Sequence, residues 1–303
     1  MIQHLNPSAT APARVVLLGG SGFLGKYLNP LLVAEGIATL SLSSRDIDLT
    51  SSGAVAKLAS MLQPSDAVVF ASCLTPDKGK DIATTMKNLA MGQNVAAALE
   101  KSPCQHLVYI SSDAVYADHV SLIRESTSAE PRELYGMGHL MRERMMEFAA
   151  KNADVPLLIV RSSVLYGVGD THNSYGPNRF RRTAEADGTI ELFGGGEERR
   201  DHVYVEDAAA LVGLGLKHKS QGVLNMATGT SPSFHEVATL LTEQLARPIE
   251  IVCHPRRMPI THRHFDVTAT LKAFPSFRFT PIVEGLAKAC RTTGELEGSL
   301  AAA

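Results

Sequence analysis

The chain has 303 residues, of which 29 are basic and 31 acidic, so its formal net charge is -2. This balance disfavours nucleic-acid binding, because there is no excess of positive charge to hold a polyanion. Its four cysteines lie far apart, which excludes a zinc knuckle or a CxxC site and suits a reducing compartment. No apolar run reaches the roughly 20 residues that span a membrane, so we expect a cytoplasmic protein without signal peptide or membrane contact.

The first half of the sequence alternates short apolar runs with segments of helical spacing. Residues 1–13 are polar and interrupted by proline, which predicts a loose arm. The order that follows predicts a doubly wound parallel sheet. The predicted strands are 15–18, 37–42, 67–71, 107–110 and 155–160, and the predicted helices are 23–35, 53–62, 86–99 and 134–151.

A glycine-rich turn, GGSGFLG (19–25), joins the first predicted strand to the first predicted helix. Glycine permits a tight turn there and lets the backbone approach a pyrophosphate at the helix N-terminus. A plain strand–helix turn can also carry glycines. The position of Gly19, Gly22 and Gly25 directly after the first strand nevertheless favours dinucleotide binding.

The blocks around and after this turn resemble the extended short-chain dehydrogenase/reductases, the NAD-dependent epimerase/dehydratase group that acts mainly on nucleotide sugars. The glycine spacing matches the family's G-x-x-G-x-x-G. Further blocks follow in the family's order: YISSDAVY (109–116), EPRELYG (130–136), RSSVLYG (161–167), GGGEERRDHVYVEDAA (194–209) and GVLNMATG (222–229).

This resemblance implies an α/β fold, with a Rossmann-type doubly wound parallel sheet and a smaller mixed α/β substrate-binding lobe. We expect the dinucleotide-binding domain to comprise residues 14–167 with a return segment, 201–226. The lobe would then comprise residues 168–200 and 227–303.

The end of the second predicted strand favours NADP, with NAD as the alternative. The family's spacing puts Ser43 where NAD-binding members carry an acidic residue, and Ser44 and Arg45 follow it. Two hydroxyls and a guanidinium suit a 2′-phosphate, although Arg45 is equally explained as a solvated loop residue. The resemblance implies further cofactor contacts from Asp48, which is equally explained as a helix N-terminal carboxylate, and from Phe23, Leu24 and Ala71.

The resemblance assigns Ser112, Tyr135 and position 139 to catalysis. In the family a Tyr acts as acid and base, a Lys four residues later lowers its pKa, and a Ser or Thr binds the reacting oxygen. Here the lysine position is His139, whose imidazole is shorter and mostly neutral at pH 7. Three interpretations stay open: an enzyme that uses His139 and the nicotinamide charge, a slow or differently tuned enzyme, and a cofactor-binding sensor or scaffold without chemistry.

Ala114 argues against a dehydration reaction, because the family's sugar dehydratases carry an acidic residue at this position. Epimerisation and keto-reduction of a nucleotide-activated sugar remain, with a small non-sugar carbonyl as the alternative substrate. The resemblance implies substrate contacts from Ser112, Asp113, Asn178 and Arg200, with the fork of Arg200 at the diphosphate.

Two further expectations concern metals and partners. His254, His262 and His264 lie among Arg256, Arg257 and Arg263, a poor setting for a cation, so we expect no metal site. The resembling proteins often form dimers through a face of two helices. The apolar spacing of residues 86–99 and 140–148 permits such a homodimer, although burial in the core explains it equally well.

Overall fold

A computed structural model describes residues 2–245, 247–256 and 258–290 of the chain. The helices of these residues are α1 Phe23–Ala34, α2 Ala54–Met61, α3 Ile82–Lys101, α4 Leu134–Asn152, α5 Pro177–Asp187, α6 Val205–Lys217, α7 Phe234–Gln244, α8 Thr268–Ala273 and α9 Ile282–Ala289. The strands are β1 Gln3–His4, β2 Arg14–Leu18, β3 Ala38–Leu42, β4 Asp66–Phe70, β5 His106–Ser112, β6 Leu122–Ile123, β7 Leu157–Ser162, β8 Val164–Tyr166, β9 Thr189–Phe193, β10 His202–Tyr204, β11 Ser220–Met226, β12 Glu250–His254 and β13 His264–Phe265.

A seven-stranded sheet in the order β1-β11-β7-β5-β4-β2-β3 forms the centre of the described structure. Every neighbouring pair in it is parallel except β1 with β11. The strand β2 has apolar residues on both faces, and Val15, Val16 and Leu17 are fully buried. Continuous apolar runs are typical of parallel strands covered by helices on both sides. This arrangement confirms the predicted doubly wound α/β fold.

The two faces of the sheet are covered by different helices. On one face α1 and α6 pack together, and their Leu28, Leu32 and Leu211 belong to one buried cluster. On the other face α2, α3 and α4 enclose a second cluster that includes Val95 and Met146. No helix of the described residues is both long and apolar enough to cross a membrane.

The prediction of a loose arm over residues 1–13 is wrong at its beginning. Gln3 and His4 form an edge strand that pairs antiparallel with β11. The ring of His4 contacts the Ser220 hydroxyl through Nδ1 and the Ala273 carbonyl through Nε2, at 2.8 Å each. These partners lie more than 200 residues away in sequence, so local composition gave no sign of them.

The second part of the described structure has its own small core. The strands β9 and β12 pair in parallel, and α5 and α7 pack beside them around Phe180, Leu192 and Leu241. These elements fall within the predicted substrate lobe. Residues 291–303 of that lobe lie outside the described residues, and the proposed domain division stays a prediction.

Candidate active site

A cleft of about 560 Å³ opens at the carboxyl ends of the central strands. Its walls are the glycine turn, the segment after β4, the end of β5, the first turns of α4 and the segment after β7. The carboxyl edge of an open parallel sheet is the usual ligand-binding position in such folds. Of the sixteen site residues expected from the sequence, some line this cleft and others do not.

The glycine turn leaves room only for backbone. Gly19 has φ 103°, and a Cβ added to it would lie 2.9 Å from the Ser72 nitrogen. A Cβ on Gly25 would lie 2.3 Å from the Gly19 carbonyl oxygen. Gly22 precedes α1 and makes no side-chain cap, so the N–H groups of the first helical turn stay available to an anion. Together with Phe23 and Leu24, which also line the cleft, the turn fits a dinucleotide.

At the end of β3 the structure adds an acidic residue that the sequence argument missed. The backbone N–H and hydroxyl of Ser43 donate to Asp46 Oδ2 at 2.8 and 2.7 Å. These hydrogen bonds lower the pKa of Asp46, so its carboxylate is charged at neutral pH. Ser44 lines the cleft and Arg45 is exposed.

The two remaining cofactor candidates are placed differently. Ala71, just after β4, lines the cleft. Asp48 instead accepts hydrogen bonds from the Thr50 backbone and hydroxyl at 2.9 and 2.7 Å. Its carboxylate therefore holds a local turn, and it is not among the residues that line the cleft.

Ser112 and Tyr135 both line the cleft, from the end of β5 and the start of α4. The Ser112 hydroxyl accepts a hydrogen bond from the Ala114 N–H at 3.1 Å. Close packing holds the two elements together, because a Cβ on Gly136 would lie only 2.1 Å from the Ala114 carbonyl oxygen. Glycine after Tyr135 thus lets α4 approach the segment that carries Ser112.

His139 is buried beneath Tyr135. Its Nδ1 shares a hydrogen bond with the Tyr109 hydroxyl at 2.9 Å, and its Nε2 lies 3.5 Å from Cys73 Sγ. The Tyr135 ring meets the imidazole edge to face, with centroids 4.7 Å apart. Burial, with a smaller effect of the Arg142 charge, lowers the pKa of His139 to about 3. His139 is therefore neutral at pH 7 and supplies no positive charge.

A positively charged side chain, Arg142, lies close to this site on the next turn of α4. The guanidinium of Arg142 stands over the Phe70 ring at 4.4 Å and the Tyr109 ring at 5.2 Å. Its Nη2 donates to the Ser72 carbonyl at 2.6 Å. The sequence analysis missed Arg142, Cys73 and Tyr109; the available signal was the spacing of Tyr135 and Arg142, seven residues apart on one helix face.

Asp113 lines the cleft next to Ser112 and faces two arginines. Burial raises the pKa of Asp113, and the charges of Arg263 and Arg200 oppose this. Arg263 Nη1 lies 3.3 Å from Asp113 Oδ2, and its Nη2 donates to Asp118 at 2.7 Å. From the sequence, Arg263 was noted only as a neighbour of His262 and His264.

The other two residues expected to bind substrate, Arg200 and Asn178, make hydrogen bonds with groups of the protein itself. Arg200 donates to the Thr261 hydroxyl at 2.6 Å and to Glu198 at 3.2 Å. The Asn178 side chain accepts from the Gly167 N–H at 3.0 Å and donates to the Leu165 carbonyl at 3.1 Å. Neither residue is among those that line the cleft, so these contacts stabilise the loops beside it.

Residues 15–227 match the model of the NAD dependent epimerase/dehydratase family. The chain belongs to this family. The resemblance seen in the sequence blocks is thereby confirmed.

Solved structures with the same fold accompany this assignment. MoeE5 in complex with UDP-glucose and NAD is 21% identical at a TM-score of 0.79, covering 95% of this chain and 99% of its own. UDP-glucuronic acid 4-epimerase from Bacillus cereus, in complex with UDP-glucuronic acid and NAD, is 18% identical at 0.81, covering 93% and 99%. RMD from Pseudomonas aeruginosa, complexed with NADPH, is 22% identical at 0.78, covering 92% and 97%.

The histidines considered for a metal take other contacts in this family member. His254 lies 3.7 Å from Glu191, and the rings of His262 and His264 are 6.3 Å apart. Within residues 2–245, 247–256 and 258–290, no three His, Cys, Asp or Glu side chains are grouped to hold a metal ion. Arg257, which is close to these histidines in the sequence, lies outside the described residues.

Asp207, in the first turn of α6, accepts hydrogen bonds from the Thr280 N–H and hydroxyl at 2.6 and 2.9 Å, and so ties α6 to the segment before α9.

Proposed function

We propose that this protein is an NAD(P)-dependent epimerase or keto-reductase of a nucleotide-activated sugar. The observation that carries the proposal is the placement of Ser112 and Tyr135 in one cleft with the glycine turn. The similar structures support the substrate class, since MoeE5 and UDP-glucuronic acid 4-epimerase are complexed with UDP-sugars and NAD.

The dinucleotide would be held by the glycine turn through residues 19–25, and when bound it supplies or accepts the hydride of the reaction. The Ser112 hydroxyl hydrogen-bonds the reacting sugar oxygen. Tyr135 takes the hydroxyl proton when the sugar carbon is oxidised and returns it when the carbon is reduced. Return of the hydride to the opposite face of the sugar gives the epimer, and a single reduction of a keto sugar gives the alcohol.

Substrate binding would draw on the charged groups beside Ser112. Asp113 lines the cleft and is held by Arg263, so its carboxyl group is positioned to contact sugar hydroxyls. Ala114 offers no side-chain acid, which supports epimerisation or reduction over dehydration. Arg200, the diphosphate candidate, would have to exchange its contacts with Thr261 and Glu198 for phosphate oxygens.

We assign NADP as the preferred cofactor. Ser44 lines the cleft, and the exposed Arg45 makes no ion pair within the described part of the chain. An RMD structure of the same fold is complexed with NADPH. The Asp46 carboxylate opposes this choice by repelling a 2′-phosphate, which makes the Arg45–Asp46 pair the determinant of selectivity.

Turnover decides between this function and its alternatives. We expect the protein with NADP or NAD to convert UDP-glucose, UDP-N-acetylglucosamine or UDP-glucuronic acid to the C4 epimer, or to oxidise NADPH with a nucleotide-linked keto sugar. Cofactor binding without turnover of any of these supports the sensor or scaffold. Oxidation of NADPH by phenolic or terpenoid ketones, with no affinity for free UDP, supports the reductase of small carbonyls.

The protein is further proposed to be a homodimer. The adjacent helices α3 and α4 expose large apolar side chains, and Ile82 is 70% and Phe148 65% exposed. The other members of this patch are Met86, Leu134, Met137 and Met141. An uncovered patch of this kind marks an association surface, and a second copy fits it because the resembling proteins pair through two helices.

The oligomeric state tests this surface. We expect a dimer by sedimentation, and a monomer with unchanged thermal stability for Phe148→Glu. A monomeric wild-type protein contradicts the proposal.

The four cysteines are free thiols, which agrees with a cytoplasmic location.

A further inference from the structure

Arg142 is a buried cation without an acidic partner among the described residues. The residue is only 1% exposed. Its guanidinium makes one hydrogen bond, to the Ser72 carbonyl, and two of its nitrogens, Nε and Nη1, are buried without a partner. An uncompensated buried charge lowers stability, so packing alone does not explain a guanidinium at this position.

The next buried arginine is built differently. Arg161 donates to both carboxylate oxygens of Glu143, at 3.0 and 2.7 Å. Glu143 follows Arg142 directly in the sequence, but its carboxylate turns to β7 and also accepts from Ser111 at 2.6 Å. The buried guanidinium of Arg161 is therefore compensated by a carboxylate, whereas that of Arg142 is not.

The charged guanidinium lies on the same face of α4 as the acid/base tyrosine. Tyr135, His139 and Arg142 follow one another at helical spacing. The Cys73 thiol, after β4, lies between these side chains, 3.5 Å from His139 Nε2. Tyr109 on β5 contacts both His139 and Arg142. Arg142 and Tyr135 line the same cavity of about 360 Å³, so a charge on Arg142 acts on Tyr135 within one small group of side chains.

The groups that face the Tyr135 phenol have opposing effects. Burial raises its pKa well above the ordinary value, and the neighbouring Cys73 thiol and Tyr109 hydroxyl add to this. Arg142 lowers the pKa, whereas Asp113 raises it. His139, neutral at pH 7, contributes no charge. Arg142 is therefore the cation that favours the phenolate.

We infer that the buried Arg142 guanidinium supplies the positive charge beside Tyr135 that relatives obtain from a lysine at the His139 position. The inference rests on the proposed function, because the phenol must gain and lose a proton during the reaction. Arg142 touches neither cofactor nor substrate in this account and is a positioning residue. It stabilises the phenolate through the electrostatic field of its guanidinium.

The experiment compares Arg142→Gln, which keeps a donor for the Ser72 carbonyl but no charge, with Arg142→Lys, which keeps the charge. The control is Arg144→Gln, on the same helix, where the side chain is exposed and pairs with Glu147. Two quantities are measured on the cofactor-bound protein. One is the pH dependence of kcat/KM, and the other is the titration of the Tyr135 phenol by NMR of isotope-labelled tyrosine, assigned with Tyr135→Phe.

Loss of the charge should move both titrations together. In Arg142→Gln the phenol titration and the ascending limb of the rate profile, which reports formation of the phenolate, shift upward by about one pH unit or more, and turnover at pH 7 falls about tenfold. Arg142→Lys restores most of the shift, and Arg144→Gln shows none. A folded Arg142→Gln protein whose phenol titrates as in the wild type overturns the inference.

A second neutral variant protects the test against a folding defect. Arg142→Met keeps an apolar stem against Phe70 and is used if Arg142→Gln does not fold. If the wild type turns over no nucleotide sugar, the proposed function fails, while the phenol titration still tests the influence of Arg142.

Discussion

The Tyr109 hydroxyl and His139 Nδ1 share a hydrogen bond of 2.9 Å beneath the helix turn that carries Tyr135. The other ring nitrogen of His139 lies beside the Cys73 thiol. The imidazole is thus held by neutral partners on both sides, and it packs close to the charged Arg142. This environment suits a neutral side chain and disfavours an ammonium group at the same position.

His139→Lys should therefore destabilise the protein. A second buried cation near Arg142 lowers the free energy of unfolding at pH 7 by about 2–4 kcal/mol. Denaturant unfolding measures this loss. His139→Gln, which keeps donors and acceptors for Tyr109 and Cys73, is the matched control and should lose about 1 kcal/mol.

The cause can be separated with a double variant. If repulsion by Arg142 is responsible, adding Arg142→Gln to His139→Lys should recover more than about 1 kcal/mol relative to additivity. A His139→Lys protein as stable as the wild type would show that this cavity tolerates two cations.

Gly136→Ala should impair turnover more than folding. The added methyl group would lie 2.1 Å from the Ala114 carbonyl oxygen, so α4 must move away from the segment that carries Ser112. Loss of alignment between Ser112 and Tyr135 should reduce kcat about 100-fold, with cofactor affinity unchanged.

Gly138→Ala is the control on the same helix. Its added methyl group meets only Thr85 Cγ2, at 3.6 Å, an ordinary contact. Activity should remain, and helix propensity should raise stability by up to about 1 kcal/mol. Equal effects of the two substitutions on kcat would contradict the proposed alignment.

The sequence revealed those parts of the site that depend on local spacing. The glycine turn and Tyr135 each lie in short blocks, and the structure places them in one cleft together with Ser112. By contrast, Arg142 has the sequence context of an ordinary polar helix residue. Its burial depends on Phe70 in β4 and Tyr109 in β5, whose rings contact it from the sheet.

For Asn178 and Arg200 the sequence suggested a role in ligand binding, but it did not reveal the contacts of their side chains. Both were selected by residue type within a block, and amide and guanidinium groups suit a phosphate ligand. In the structure their polar atoms contact main-chain and side-chain groups of other segments, such as Leu165 in β8 and Thr261. A short block identifies which residue is present, but partners distant in sequence decide where its side chain points.

Cofactor choice should respond oppositely to two adjacent substitutions. Arg45→Ala removes the cation expected at a 2′-phosphate and should weaken NADP binding about tenfold, with little effect on NAD. Asp46→Asn removes a charged acceptor next to Ser43 and should tighten NADP binding relative to NAD. Dissociation constants from titration calorimetry measure both. Equal changes for the two cofactors would remove these residues from the selectivity argument.

Three buried histidines predict a loss of stability in acid. Burial lowers the pKa of His106 to about 4 and the pKa values of His139 and His202 to about 3. The unfolded chain binds protons on these rings near 6.5 and the folded chain does not, so the free energy of unfolding falls as the pH drops below 6.5. Asp201 acts in reverse: burial raises its pKa to about 6 from 3.8, which favours the folded state in the same range.

For these four groups the difference near pH 5 is about two protons, equivalent to a contribution of about 2.7 kcal/mol per pH unit. Denaturant unfolding between pH 4.5 and 7 gives this slope directly. His202→Leu should reduce it by about one proton, because both ring nitrogens of His202 are buried without a partner in the described structure. The exposed His119→Gln is the control and should leave it unchanged.

The role of Tyr135 as acid and base is tested by comparing wild type with Tyr135→Phe for binding and turnover. We expect equal affinities for NADP and for UDP, and a rate of sugar conversion at least about 100-fold lower in the variant. Conversion by Tyr135→Phe at the wild-type rate would contradict the assignment of Tyr135 as the acid and base.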